Sequence, residues 1–239
     1  MKLTHKAAKS VKYLERKKMI ITIILFIIIF LFSANYFQVV TFASLVVGPK
    51  IKTSKIVDKW IISTIKDKTG LVLKNLTIYH DKMPYGMMAG IPYFPELIIS
   101  EKLYKIFNKD EMEWVILHEA GHCVLWHNPL AIIIEFILMF GGTYLTKIAQ
   151  LNIFSTILLS LILSIISVQI IRRIVEYEAD KFSISRVTNP QGVITAQDKF
   201  RKYYTNSVFG SEDSIVRKLF HWNISPVLRI KMAKQRLSQ

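Results

Sequence analysis

Two histidines stand four residues apart in the stretch HEAGH at 118–122, with a glutamate directly after the first. On a helix, positions i and i+4 lie on one face, so His118 and His122 can present ring nitrogens to a single metal ion. Glu119 is displaced around the axis into the space beside that ion, where a base must sit to take a proton from an activated water. Gly121 removes a side chain next to the pair. A glycine inside a helix costs about 1 kcal/mol relative to alanine, which points to a steric reason such as another helix approaching closely.

A catalytic zinc takes three protein ligands and keeps one position open. Further along, EYEAD at 176–180 puts Asp180 one turn beyond Glu176. Glu176 can supply the third ligand, while Asp180 accepts the other ring N–H of a ligand histidine, orienting the ring and raising its basicity. Glu178 falls on a different face. H-E-x-x-H alone also occurs by chance on polar helix faces; the second acidic motif, arriving after two apolar segments, is what favours a metal site.

The elements that carry these motifs are separated by long apolar runs. Met19–Val47 contains no charged residue, Leu130–Leu145 only Glu135, and Leu151–Ile171 none. At about 1.5 Å per residue the last is close to the roughly 30 Å of a bilayer core, so these stretches read as membrane helices. The pair at 130–171 forms a hairpin that returns the chain to its starting side, so both metal motifs share one face of the membrane. Residues 1–18 form a basic tail resembling the front of a signal peptide. The run at 19–47 continues past a signal core without a small-x-small cleavage site and reads as a retained anchor, a single span or a tight hairpin. The catalytic domain is then split, 48–129 before the hairpin and 172–239 after it.

Within the first part, Ile51–Ile65 has mixed apolar and cationic positions at helical spacing, suited to a helix on the bilayer surface or to one packed in a domain. Leu71–Tyr79 reads as a strand, and Pro84, Gly86, Gly90, Pro92 and Pro95 punctuate short strands leading to Leu97-Ile98-Ile99. Proline-rich short strands belong at sheet edges, so Met87–Ile91 is a candidate edge that accepts a peptide as an added strand. A helix begins at Lys109, with Asp110, Glu111 and Glu113 in its first turn, and Pro129 marks its end. Another helix runs on from Arg172, and the tail from Gln191 to Gln239 is helical with a break at Pro226. The fold class is therefore α+β, mainly α-helical: an integral membrane protein with a small sheet beside the metal-site helices.

A formal net charge of +15 fits nucleic acid or an anionic membrane surface. The basic residues crowd beside apolar segments and no groove-reading or stacking motif is present, so the lipid bilayer is the expected partner and nucleic acid is not. The single cysteine, Cys123, forbids an internal disulfide and reads as a packing residue. Arg172 and Arg173 outnumber the one lysine of the hairpin turn, Lys147, which puts the metal motifs in the cytoplasm. The basic tail wants the same side, which a single crossing by 19–47 would not allow and a fold-back near Ser33-Ala34-Asn35 would.

Taken together, the chain resembles the membrane-bound zinc metallopeptidases of the M48 type, which include the HtpX-like heat-shock proteases and the Ste24-like CAAX-processing proteases. The likeness runs from Leu71 to Leu237 and is carried by HEAGHCVLWH, EYEAD and, less specifically, HWNISPVLRIKMAKQRL. It implies one Zn2+ per subunit on His118, His122 and Glu176, with Glu119 as general base, Asp180 behind a ligand, and a polypeptide substrate. It also puts YGMMAGIPYFPELIIS in the place of the family's substrate-binding edge strand, so that Met87, Met88, Ala89 and Gly90 face the substrate. The Asn-Ala-Phe of many relatives is replaced there by Gly-Met-Met-Ala-Gly. His127 matches a further family histidine with an accessory role or none, and His221 and Arg229 either approach the site or pack the tail. His127, Tyr177 and His221 are candidate donors to the transition state.

The function so implied is a membrane zinc metalloendopeptidase, multi-pass in the cell membrane, with membrane-protein quality control as a physiological role. Two rivals stay open: a zinc protease cutting inside the bilayer, and a non-catalytic zinc-binding membrane sensor or scaffold. Oligomeric state has no sequence signal.

Overall fold

The computed structural model describes residues 52–150, 152–204 and 225–239. The expected basic tail at 1–18, the anchor at 19–47 and His221 lie outside the described residues. The chain divides into two compact units. One comprises residues 48–131 and 169–239; the other, over its described part, is Ile132–Val168.

The first unit holds a four-stranded sheet of β1 (Thr53–Ile56), β2 (Leu76–Tyr79), β3 (Gly86–Ile91) and β4 (Phe94–Ser100), in spatial order β1-β2-β4-β3. β1 runs antiparallel to β2, β2 parallel to β4, and β3 antiparallel to β4. β3 is thus an edge strand, as the proline and glycine punctuation suggested. Leu76, Ile78, Leu97 and Ile99 are buried, and with Ile61, Ile65, Leu103, Ile116 and Leu117 they form one core. Each such side chain taken fully from water contributes about 1.5–3 kcal/mol before the entropy of ordering is charged against it.

Two expectations need correcting here. Ile51–Ile65 is not one amphipathic helix: Thr53–Ile56 pairs with Leu76–Tyr79 as a strand, and α1 (Lys59–Thr69) starts only after Asp58. Asp58 Oδ1 accepts the N–H groups of Trp60 and Ile61 at 3.0 and 3.1 Å, a side-chain cap that fixes the start of the helix. Ile61 and Ile65 then point into the core, which makes α1 a packing helix. The strand expected over Leu71–Tyr79 is confined to its second half; Leu71 and Leu73 are buried without strand pairing, so their apolarity serves the core and not a ladder.

A short helix α2 (Glu101–Ile106) follows β4 directly, capped by Ser100. The long site helix α3 (Lys109–Val124) opens with a capping box in which Asn108 and Glu111 satisfy each other's backbone N–H groups at 2.9 Å. It is held from outside as well. Lys199 reaches Glu111 at 2.6 Å, and Glu113 takes Lys68 at 2.6 Å and the Thr188 N–H at 2.8 Å. The helix stops at Val124, before Trp126, whose φ of +56° breaks the run. Pro129 does not end α3. It lies in the first turn of the next helix, α4 (His127–Ile148), where a missing N–H costs nothing.

α5 (Ile153–Ile184) follows α4 in the chain and continues unbroken through Glu176 and Asp180. Ile133, Ile137, Phe140 and Tyr144 on α4 are exposed. Counted over the side chains the structure describes, no single helix is long and apolar enough to cross a membrane; Lys109–Val124 and Pro129–Gly142 reach that length and apolarity only as a pair bent by 45°. The chain ends in α6 (Gln191–Tyr204) and α7 (Pro226–Leu237), the latter capped by Ser225 with Pro226 at its first position.

Candidate metal centre

α3 and α5 meet where Gly121 faces Ala179 and Phe182. A Cβ on Gly121 would stand 3.1 Å from the Phe182 ring and 3.5 Å from the Ala179 backbone, so only glycine lets the two helices approach this closely. That approach brings Glu176 to the paired histidines. His118 Nε2 lies 3.2 Å from His122 Nε2, and the two Glu176 oxygens lie 3.5 Å from one or the other of these nitrogens.

Ligand atoms about 2.0–2.1 Å from a tetrahedral zinc stand roughly 3.3–3.4 Å apart. The histidine nitrogens, 3.2 Å apart, are close to that spacing, and Glu176 approaches each of them at 3.5 Å through a different oxygen, so its carboxylate straddles the position a shared ion would take. The far sides of the rings are also engaged. His118 Nδ1 is 2.9 Å from Asp180 Oδ1, an ion-pair approach between two buried atoms whose geometry falls short of a regular hydrogen bond and which have no other partner. His122 Nδ1 is 3.0 Å from His127 Nδ1. A carboxylate behind His118 favours the proton on Nδ1 and leaves Nε2 as a lone pair pointing at the shared centre. Three Lewis bases converging on one point suit a cation, and two imidazoles with one carboxylate suit zinc.

Residues 62–220 match peptidase family M48. The chain belongs to that family. Among solved structures it is similar to Ste24p of S. mikatae, with a TM-score of 0.57 at 14% identity; the match covers 83% of this chain and 55% of that one, so the chain spans about half that protein's length. No curated protein matches the sequence. The structural likeness, at that identity, extends to the fold.

In this M48 chain Glu119 sits between the histidine pair and β3. A Cβ on Gly86 would lie 3.2 Å from Val115 Cγ1 and 3.5 Å from Glu119 Cγ, so β3 runs tight against α3 at this level. The Met88 backbone lies near enough to the Glu119 carboxylate to favour its charged form. Burial, reinforced by the Glu176 charge, raises the Glu119 pKa to about 7 against the opposing pull of His118, Met88 and Arg229. With protein groups alone in the site, burial opposes charge on His118, but the Asp180 and Glu176 carboxylates outweigh it and hold its pKa at about 10. Burial and that neighbouring charge lower His122 to about 3. Burial would raise Glu176, yet His118, His122 and Arg229 hold it down at about 2.

The structure brings His118, Glu119, His122, His127, Glu176 and Asp180 together and lays Met88 alongside. Met87, Ala89 and Gly90 follow on the same edge strand. Cys123 faces the core, and burial raises its thiol pKa, as a packing role requires. The residue whose place the sequence left open is Arg229. From α7 its Nε donates to Asp180 Oδ2 at 2.6 Å and its terminal nitrogen to Glu176 Oε2 at 3.2 Å, with the guanidinium 5.5 Å over the Trp114 ring. The signal was faint: one arginine in a basic tail helix, distinguished only by the Ser-Pro cap that sets that helix's start.

Proposed function

We propose that this chain is a membrane-bound zinc metalloendopeptidase that hydrolyses polypeptides on the cytoplasmic side of a cell membrane. The observation that carries the reading is the convergence of His118, His122 and Glu176, the two ring nitrogens 3.2 Å apart and each 3.5 Å from one of the Glu176 oxygens, with Glu119 beside them. One zinc ion per chain, held by those three side chains, would supply the Lewis acidity that makes water nucleophilic near neutral pH and polarises a peptide carbonyl.

The remaining roles fall to the protein. Glu119, half-buried and with a pKa raised to about 7, is poised to accept a proton at its carboxylate and return it to the departing amine. Asp180 fixes the His118 ring, and His127 backs His122. Arg229 balances the buried Asp180 and half-buried Glu176 carboxylates, which would otherwise repel each other. The outer edge of β3, which runs tight against α3 beside Glu119, offers a substrate chain an open strand to pair with, its side chains passing Met87, Met88, Ala89 and Gly90.

Membrane anchoring is supported by the uncharged stretch Ile153–Ile170 and by the exposed apolar side chains of α4. A surface position for the site, instead of one inside the bilayer, is favoured by the charges that tie α3 down, Lys68 to Glu113 and Lys199 to Glu111. A catalytic site is favoured over a closed structural one because the ligand group has three members among the described residues and the nearby thiol is turned into the core. Turnover of damaged membrane proteins is the physiological role we infer.

The test is cleavage of an unstructured protein by detergent-purified enzyme, with zinc content measured on the same samples. Wild type should carry one zinc and cut; Glu119→Gln should keep its zinc and lose roughly 10²–10⁴-fold in rate, the usual contribution of a positioned base. Full activity in Glu119→Gln, or cutting by protein stripped of metal, would refute the reading.

A further inference from the structure

The hairpin joining β3 to β4 carries two aromatic side chains left largely exposed among the described residues. Tyr93 is 77% and Phe94 80% exposed, at the tip of a strand pair whose other end reaches Glu119. The Tyr93 ring lies edge-on to Trp126, with centroids 6.3 Å apart, and Trp126 is itself 40% exposed. Ile91 and Leu130 are exposed on either side in sequence. Trp126 holds this position at φ +56°, a left-handed backbone that a bulky residue adopts at a steric cost glycine would not incur. A strained tryptophan kept at an exposed surface, in contact with an exposed tyrosine, calls for a function.

We infer that Tyr93, Phe94 and Trp126 form an interfacial anchor that seats the hairpin tip in the headgroup layer of an anionic bilayer. The inference rests on the membrane reading above. Several observations select lipid as the occupant. Trp126 immediately precedes α4, whose run from Leu130 to Leu145 is apolar but for Glu135, so in sequence the patch stands where the polar unit gives way to that run. Tyrosine and tryptophan, each with an apolar body and a polar end, are the side chains enriched at that depth. On α5, exposed Ile170, Ile174 and Tyr177 surround exposed Arg173, again an apolar and basic mixture suited to headgroups. The chain's formal charge of +15 favours anionic over zwitterionic lipid as the surface it meets.

Seating the tip this way gives β3 a direction. Its far end, Gly90-Ile91, would lie at the membrane surface, and Met88, beside Glu119, is about 10 Å up the strand at roughly 3.3 Å per residue. A chain paired along β3 would therefore be cut within a few residues of the point where it leaves the bilayer. The substrate class that follows is the juxtamembrane segment of a membrane-inserted polypeptide.

The test uses the full chain in phosphatidylcholine–phosphatidylglycerol vesicles, with a small fluorophore on a single added cysteine at Tyr93→Cys, Phe94→Cys, Leu138→Cys in mid-α4, or Val72→Cys as an exposed control. Cys123 is buried, and a sample with no added cysteine measures any labelling of it. Labels at 93 and 94 should shift to the blue and be quenched by lipid brominated near the headgroup, the label at 138 by lipid brominated deep in the chain, and that at 72 by neither. Quenching at 138 without any at 93 and 94 would overturn the anchor and leave the membrane reading standing. No quenching at 138, 93 or 94 would remove both. Labels at 93 and 94 shielded by an added apolar peptide but not by lipid would make the patch a substrate subsite and overturn the anchor. In the same vesicles, Tyr93→Ser with Phe94→Ser should slow cleavage of a membrane-inserted substrate while cleavage of a soluble unstructured one is unchanged; equal slowing of both would contradict the proposal.

Discussion

The two helices that build the metal site are secured in opposite ways. α3 is almost wholly buried, closed at its start by a capping box and tied by two ion pairs to α1 and α6. α5 is twice as long, 32 residues against 16, and it leaves the other unit before Glu176 arrives opposite the histidines. His118 and His122 are therefore fixed by the core, whereas Glu176 and Asp180 depend on two local devices, the close approach at Gly121 and the clamp from Arg229. One side of the site is made by folding; the other is delivered to it.

Ligand removal tests that division most severely. Glu176→Ala should abolish stoichiometric zinc while leaving the circular dichroism and melting of the unit nearly intact, because α3 does not need α5's carboxylate for its own packing. Loss of the fold together with the zinc would show the two helices to be one structural element. Next in size is Arg229→Ala, which strands the buried Asp180 and the half-buried Glu176; breaking a buried pair from one side costs about 3–5 kcal/mol. A fall in melting temperature with weakened zinc is expected, and Arg229→Lys should recover part of it. An Arg229→Ala protein as stable as wild type would mean that the clamp is not formed.

How far these features were legible in the sequence follows from how local each is. The histidine pair and the Glu-x-x-x-Asp motif are spacings on single helices, and helical period alone puts their members on shared faces. Asp110 and Glu111 similarly announce the start of α3. Thr53–Ile56 was misread because a strand is defined by its partner, and its partner lies at Leu76–Tyr79. Pro129 was misread because proline is equally at home just after one helix and in the first turn of the next. Arg229 could not be assigned from its neighbours at all, since its meaning comes from Asp180 and Glu176 across the fold.

Asp180→Asn comes third. It keeps the shape but removes the charge behind His118, and such outer partners typically account for 10–100-fold in metal affinity. A competition titration with a zinc chelator should register that loss with no change in the number of ions bound; an unaltered affinity would reduce Asp180 to a packing residue. The smallest effect is expected on the side of the site that folding makes. Asn108→Ala removes the α3 cap at a cost of about 1 kcal/mol in stability, and zinc affinity should not change, because eleven further hydrophobic and polar positions of that helix remain buried. Zinc loss in Asn108→Ala would show α3 to be as conditional as α5.

The most direct measurement is X-ray absorption at the zinc edge of the purified full-length protein. The expected first shell is two imidazole nitrogens and carboxylate or water oxygens at about 2.0–2.2 Å, with no heavier scatterer. A sulfur at about 2.3 Å, which only Cys123 or a methionine could provide, or a protein that binds no zinc, would contradict the assignment of His118, His122 and Glu176.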